Sequence, residues 1–337
     1  MITLKELSAK CGVSIATISN VINGKSNVSK ETKQRILKAI KETGYQPNYM
    51  ARSLRSQKTR TIGIIIEDIT AFSSPQIIEG IMAFAEENGY RCVLENLRFY
   101  TKMIDATPEQ YQKAILLAVQ QMIAIKVDGI ICVAAHGREL DFFPDDFNIP
   151  GVVAYAKSAS PKYPSVLIND EKAAYDITKL LIEKGRKKIG FVSGEKDNFH
   201  SIRRFQGYKK ALEESGLKID DKIIIYANWY RKAGYDAAQK LLKEKIDGVF
   251  CANDNMATGF CDYLFEHDIK IGEEISVTGF DGRELAMYTR PKLTTQKIPL
   301  FQIGFNAAKL ILSQIEGKAA DETEITVDCE MQIGESV

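Results

Sequence analysis

Residues 3–24 read TLKELSAKCGVSIATISNVING, and their punctuation decides how the chain begins. Thr3 and Glu6 are spaced for a capping box, in which hydroxyl and carboxylate close a first helical turn reciprocally. Gly12 ends that helix, and Ser14 can cap a second, running from Ile15 through Ile22 to Asn23-Gly24. Ser29 opens a third helix with Ile36, Leu37 and Ile40 on one face, stopped by Gly44. A gap of about three residues containing glycine, between the first two helices, is the helix-turn-helix connection. The charge agrees. Among residues 1–60, 12 Lys and Arg face 3 Glu and no Asp, a net +9, while the remaining 33 basic and 41 acidic side chains carry −8. A basic head on a mildly acidic body is the electrostatic footprint of a nucleic-acid-binding module.

On the second helix, Ile18, Val21 and Ile22 are spaced to face a core, which leaves Ile15, Ala16, Thr17 and Asn20 outward. Those are the N-terminal turns that enter a major groove. Asn20 suits adenine, Ile15 and Ala16 suit a thymine methyl, and Ser14, Thr17 and Ser19 suit phosphates. Further on, Pro47 suits a helix start, and Ala51 and Leu54 share a face flanked by Arg52 and Arg55. An apolar wedge beside arginines fits a kinked minor groove.

About 280 residues follow, more than one core usually holds. Apolar runs alternate with amphipathic ones, the pattern of a parallel sheet. Strands are predicted at 61–66, 92–97, 129–133, 151–154, 188–192, 223–226, 248–251 and 275–278. Helices are predicted at 77–88, 110–125, 173–184, 204–215, 233–243 and 256–267. Asp128-Gly129-Ile130-Ile131 and Asp247-Gly248-Val249-Phe250 are near copies, which points to two similar α/β lobes. Polar residues follow several strands: Glu67-Asp68, Ser193-Gly194, Asn253-Asp254 and Gly279-Phe280-Asp281. Ligands of open α/β sheets bind beyond such strand ends, so a shared cleft is expected. Arg204 has a fork suited to vicinal hydroxyls or a carboxylate, and Trp229, the one tryptophan, could stack on a sugar face. The six cysteines form no Cys-x-x-Cys pair and the three histidines share no ligand spacing, so no metal or cofactor is expected. No apolar run is long enough for a membrane span, and the chain opens on the basic head without a signal peptide, so a cytoplasmic protein is expected. No P-loop or nucleophile elbow is present, and an enzyme is not expected.

Residues 3–24, with Val28–Thr32, Gly44–Asn48 and Ala51–Leu54, resemble the DNA-binding head of the lactose-repressor (LacI/GalR) family. The similarity continues in order through Thr61–Ile66, Asp128–Ile131, Gly185–Gly194, Ala252–Ala257, Ile275–Asp281 and Leu293–Thr295. It implies an all-α helix-turn-helix domain (1–47) and a hinge helix and linker (48–59). A periplasmic-binding-protein-like core would follow, of two doubly wound parallel-sheet subdomains: 60–168 with 297–327, and 169–296 with 328–337. The implied DNA-contacting residues are Thr3, Ser14, Ile15, Ala16, Thr17, Ser19, Asn20, Asn23, Tyr45, Asn48, Ala51, Leu54 and Arg55, with Leu54 levered into the central base step. The implied effector contacts are Asp68, Thr70, Phe72, Tyr155, Arg204, Trp229, Asn253 and Asp281.

Two departures bear on specificity. Many members carry Arg or His where this chain has Asn20, so the operator's bases are not implied. Ser73-Ser74 stand where Phe-Phe is frequent, with Phe72 one place earlier, which argues against a purine effector. Residues 99–111 are longer than the usual loop, and with Tyr155 and Lys157 are expected to shape the cleft. The expectation is a homodimeric repressor of a carbohydrate-utilisation operon, binding a near-palindromic double-stranded operator under the control of a sugar-like effector. The alternatives are a sugar receptor without a DNA role, and a regulator answering to a corepressor, a partner protein or a non-sugar metabolite.

Overall fold

The computed structural model describes residues 2–22, 28–45, 59–143, 147–318 and 322–337. They fall into two compact units, Met1–Thr59 and Arg60–Val337. The first holds α1 (Leu4–Cys11), α2 (Ile15–Ile22) and α3 (Lys30–Thr43). The capping box is formed: Thr3 N donates to Glu6 Oε2 (2.7 Å) and Glu6 N to Thr3 Oγ1 (3.2 Å). Leu7, Cys11, Ile18, Val21, Ile36 and Ala39 make the small core. Leu37, expected inside, is 48% exposed, because Ala39 completes the inward face with Ile36 while Ile40 is half-buried. Asn23, Asn48, Ala51, Leu54, Arg55 and the expected hinge helix lie outside the described residues.

The second unit contains β1 (Thr61–Ile66), α4 (Ser74–Glu87), β2 (Arg91–Asn96), a π-helical turn (Phe99–Met103), α5 (Pro108–Ala124), β3 (Gly129–Val133) and β4 (Glu139–Leu140). Next come β5 (Gly151–Ala154), β6 (Lys157–Ser158), β7 (Ser165–Ile168), α6 (Asp170–Glu183), β8 (Ile189–Ser193), α7 (Phe199–Glu214), β9 (Ile224–Tyr226) and α8 (Arg231–Leu241). The chain ends with β10 (Gly248–Cys251), α9 (Asp254–Glu266), β11 (Ser276–Asp281), α10 (Glu284–Tyr288), β12 (Thr294–Lys297), α11 (Leu300–Ile315), β13 (Glu324–Val327) and β14 (Glu330–Gln332).

Two six-stranded sheets result, ordered β13-β7-β5-β3-β1-β2 and β14-β12-β11-β10-β8-β9. Every pairing in them is parallel except β12 with β14. The two orders match strand for strand, as the repeated Asp-Gly motifs suggested. Both aspartates latch the start of a strand: Asp128 accepts from Thr61 N (3.3 Å), and Asp247 from Lys187 N and Lys188 N (both 2.8 Å). The chain passes between sheets after β7, β12 and β13. Strands β4, β6, β7, β12, β13 and β14 and helices α10 and α11 are additional to those predicted. β11 runs to Asp281, beyond the predicted end at residue 278, which makes that carboxylate part of the strand.

Candidate functional site

The C-terminal ends of the two sheets face a cavity of about 970 Å³. Six of the expected effector residues line it: Phe72, Tyr155, Arg204, Trp229, Asn253 and Asp281. Arg204 lies on the inner face of α7 and is 2% exposed. Its Nε donates to Asp170 Oδ1 (2.8 Å), another nitrogen reaches the Ala252 carbonyl, and the guanidinium lies 3.6 Å from the Phe280 ring centroid. Burial opposes its charge, but Asp170 and Asp281 outweigh burial and raise its pKa. Its Nη1 is 3.8 Å from Asp281 Oδ1. Burial pushes the Asp281 carboxyl up to about 8, with Arg204 opposing, and that of neighbouring Asp254 up to about 7. Asn253 caps α9 through Met256 N (2.8 Å) and donates to the Trp229 carbonyl (2.9 Å), so one amide hydrogen remains for a ligand.

Tyr155, Trp229 and Asp281 have φ of 68°, 65° and 112°. Positive φ is costly for such residues and collects at sites where side chains must be aimed against backbone preference. Three such residues line this one cavity, which makes it the candidate site.

Asp68 and Thr70 are placed otherwise and do not line the cavity. Asp68 is buried; its Oδ1 accepts from Thr70 N (2.9 Å) and Oγ1 (2.6 Å) in its own turn and its Oδ2 from Tyr100 N (2.8 Å) in the segment after β2. The hydrogen bonds hold its pKa down against burial. Lys157 pairs with Glu139 (3.7 Å) rather than facing the cavity. Ser73 and Ser74 turn inward, with Ser74 Oγ donating to the Asp68 carbonyl (2.7 Å). That leaves Phe72 as the ring of this turn at the cavity, with the Arg283 guanidinium 5.1 Å from its centroid.

His200 was missed from sequence. Its Nδ1 meets Asp170 Oδ2 (2.8 Å), and its Nε2 is buried at the cavity without a protein partner. It packs against Gly137, where a Cβ would overlap the imidazole. A buried polar nitrogen without a protein partner beside Arg204 is a rare feature in a folded chain. The available signal was spacing, since His200 and Arg204 are four apart on one helix face.

In the head, Ser14, Ile15 and Ala16 are exposed, and Thr17, Ser19 and Asn20 half-buried, along the outer side of α2. Ser14 Oγ caps α2 at Thr17 N (3.1 Å). Thr3 is exposed at the start of α1. Tyr45, expected at DNA, instead packs into the head's core, and burial raises its pKa. Among the described residues, no helix is long and apolar enough to cross a membrane.

Residues 3–48 match the family of bacterial regulatory proteins of the lacI type, and residues 178–337 match a periplasmic binding protein-like domain. The chain is 33% identical over 333 residues to the HTH-type transcriptional regulator RegA of Clostridium saccharobutylicum, covering 98% of this chain and 97% of RegA. It is 31% identical over 343 residues to catabolite control protein A of Priestia megaterium, covering 99% of each. The fold is similar to that of the Lac repressor dimer bound to operator and the anti-inducer ONPF (TM-score 0.80, 23% identity, 99% and 98% covered). It is also similar to a CelR–cellobiose complex (TM-score 0.67, 24% identity, all of both chains covered). With a helix-turn-helix head, a two-sheet core and relatives of this identity along its whole length, the chain belongs to the lacI family of bacterial transcriptional regulators.

Proposed function

We propose that this regulator is a homodimeric repressor of a carbohydrate-utilisation operon, and that a sugar-like effector in the core cavity sets its operator affinity. The observation that carries the reading is the convergence of Arg204, Asn253 and Asp281 on one cavity between two sheets. Such a set of fixed donors and acceptors beside Trp229 suits a polyol ring with one apolar face. The relatives are regulators rather than enzymes, and binding rather than turnover is the role of this cavity.

Mechanistically, the division is 60–168 with 297–327 against 169–296 with 328–337. A ligand held by Arg204 and Asp281 on one side and Phe72 on the other favours one arrangement of the two, and that preference is transmitted to the paired heads. Coupling of this kind amounts to about 1–3 kcal/mol and is reciprocal. In a dimer, two α2 helices enter successive major grooves of a near-palindromic operator.

A thermal-shift screen of the full chain against mono- and disaccharides tests the effector, because a tight ligand raises the melting temperature. The hit is then added to a mobility-shift assay on a duplex selected from random sequences. A sugar that stabilises the chain and changes operator affinity supports the reading. Stabilisation by purines or amino acids alone, or indifference of DNA binding to the hit, sinks it.

A further inference from the structure

Helix α7 is fastened to one sheet and leans on the other. Its Tyr208 hydroxyl donates to the Ile189 carbonyl (2.7 Å) and its Tyr208 ring stacks on Phe191 (centroids 5.0 Å apart), both in β8 of the second sheet. A Cβ at Gly207 would overlap the Glu171 carbonyl, so α7 and α6 meet backbone to backbone. The opening turns of α7 reach the first sheet instead. Arg203 Nη2 lies 3.6 Å from Glu324 Oε1, at the start of β13. The His200 ring centroid lies 5.6 Å from that of Tyr155, which follows β5. The same imidazole packs against Gly137, in the loop after β3. Strands β3, β5 and β13 all belong to the first sheet.

The contact between His200 and Gly137 is a fit of volumes. The backbone at Gly137 does not have the positive φ that favours glycine, yet a Cβ there would overlap the imidazole. Close approach is therefore what glycine permits at this position. The ring has little room to give way. The side chain is 9% exposed, its Nδ1 is held by Asp170 Oδ2 (2.8 Å), and Phe199 stands edge-on to it at 5.7 Å. Asp170 cannot follow the ring, because it is itself buried and its other oxygen accepts from Arg204 Nε (2.8 Å). It is also the first residue of α6, reached directly after the chain leaves β7 for the second sheet. The ring atom nearest the missing Cβ is Nε2, which has no protein hydrogen-bond partner. Van der Waals contact, rather than a hydrogen bond, therefore sets the spacing here, and added volume is resisted.

We propose that His200, aimed by Asp170 and seated on Gly137, is a steric stop that sets how closely the two sheets approach across the effector cleft. It is a positioning residue, acting on the balance between the two arrangements that sets operator affinity. That last step rests on the regulatory reading above, and is independent of which effector the cavity takes.

Complementary substitution tests it on the full chain with no effector added. The chains compared are the unmodified one, Gly137→Ala, His200→Ala and the double variant, each checked for folding by its melting curve. Trp229, the one tryptophan, is half-buried in the cavity lining, so acrylamide quenching of its fluorescence reports how far the cleft is open. Gly137→Ala should raise that quenching. It should also change affinity for a duplex selected by the unmodified chain about fivefold or more, the low end of allosteric coupling. In the His200→Ala background the same substitution should leave both within about twofold, because the ring that the new Cβ would strike is gone. A merely structural defect at Gly137 would act alike in both backgrounds. That result, or a Gly137→Ala chain indistinguishable from the unmodified one, overturns the stop. If Gly137→Ala does not fold, His200→Tyr enlarges the ring from the opposite side and should raise quenching in the same way; no rise overturns the stop. Quenching that follows this pattern while DNA affinity does not supports the stop and overturns the link between cleft spacing and operator binding.

Discussion

At Asp281 burial outweighs the neighbouring Arg204, and the carboxyl is pushed up to about 8; at Asp254 burial likewise gives about 7. In the unfolded chain both ionise near the ordinary value of 3.8. Between those limits the folded state holds more protons, so their contribution to stability is full below pH ~4 and is lost as pH rises toward ~8. Asp170 has the opposite sign. Burial raises its pKa, but His200 and Arg204 outweigh burial and lower it, so its contribution is lost only in acid, as pH falls below the usual carboxylate range. Melting temperatures measured across the neutral range should therefore decline toward alkaline pH, and Asp281→Asn should flatten that decline. An undiminished slope would show that Asp281 is already ionised at neutrality. On α2, Asn20→Ala should cost about 1–3 kcal/mol on the best operator and relax preference at one base pair, read from a set of single-base operator variants. Equal loss on every sequence would reassign Asn20 to the DNA backbone.

Helices α4 and α11 meet backbone to backbone. A Cβ at Gly80 would overlap the Phe301 carbonyl, and one at Gly304 would overlap the Ile77 carbonyl. Glycine within a helix is unfavourable by roughly 1 kcal/mol, and close approach is what recovers it here. Gly304→Ala gains helix propensity but forces the axes apart. Separating close-packed elements costs about 1–3 kcal/mol, so a net loss is expected, seen as a lower urea midpoint. A raised midpoint would mean the pair separates easily. Ile77, Gly80, Phe301 and Gly304 do not line the cavity, so effector affinity measured in the folded variant should be little changed. The segment after β2 is tied down by hydrogen bonds to Glu67 and Asp68, which makes its placement depend on those two residues.

Charge is divided between the units more sharply than the overall +1 suggests, with +9 in residues 1–60 and −8 in the rest. DNA affinity should then come from the head and fall steeply with salt. For about 6–10 phosphate contacts the loss is roughly 10³-fold or more between ~50 and ~200 mM. Effector binding in the core, where Arg204 is already paired with Asp170, should change little over the same range. Anisotropy titrations on DNA and calorimetry on the effector at matched salt would show both slopes. Equal slopes would contradict this division of labour.

Local interactions were open to reading from residue order. The Thr3–Glu6 capping box joins neighbours three apart. Strands Thr61–Ile66, Gly129–Val133, Gly151–Ala154 and Gly248–Cys251 are continuous apolar runs because both faces are covered, and they fall where predicted. The strand-end rule likewise put Asn253 and Asp281 at a cleft. What stayed hidden was partner choice over distance. The Thr-Thr-Gln-Lys run of β12 carries no apolar pattern, and becomes a strand because β11 and β14 flank it. Asp68 looked like an effector contact until Tyr100, 32 residues away, took its oxygen. Glu67 and Arg138, 71 residues apart, pair only once the sheet has formed. A side chain's chemistry is written in its own identity, but which group satisfies it is settled when the folded chain brings one of many possible partners within about 3 Å and shuts out the water that would have served instead.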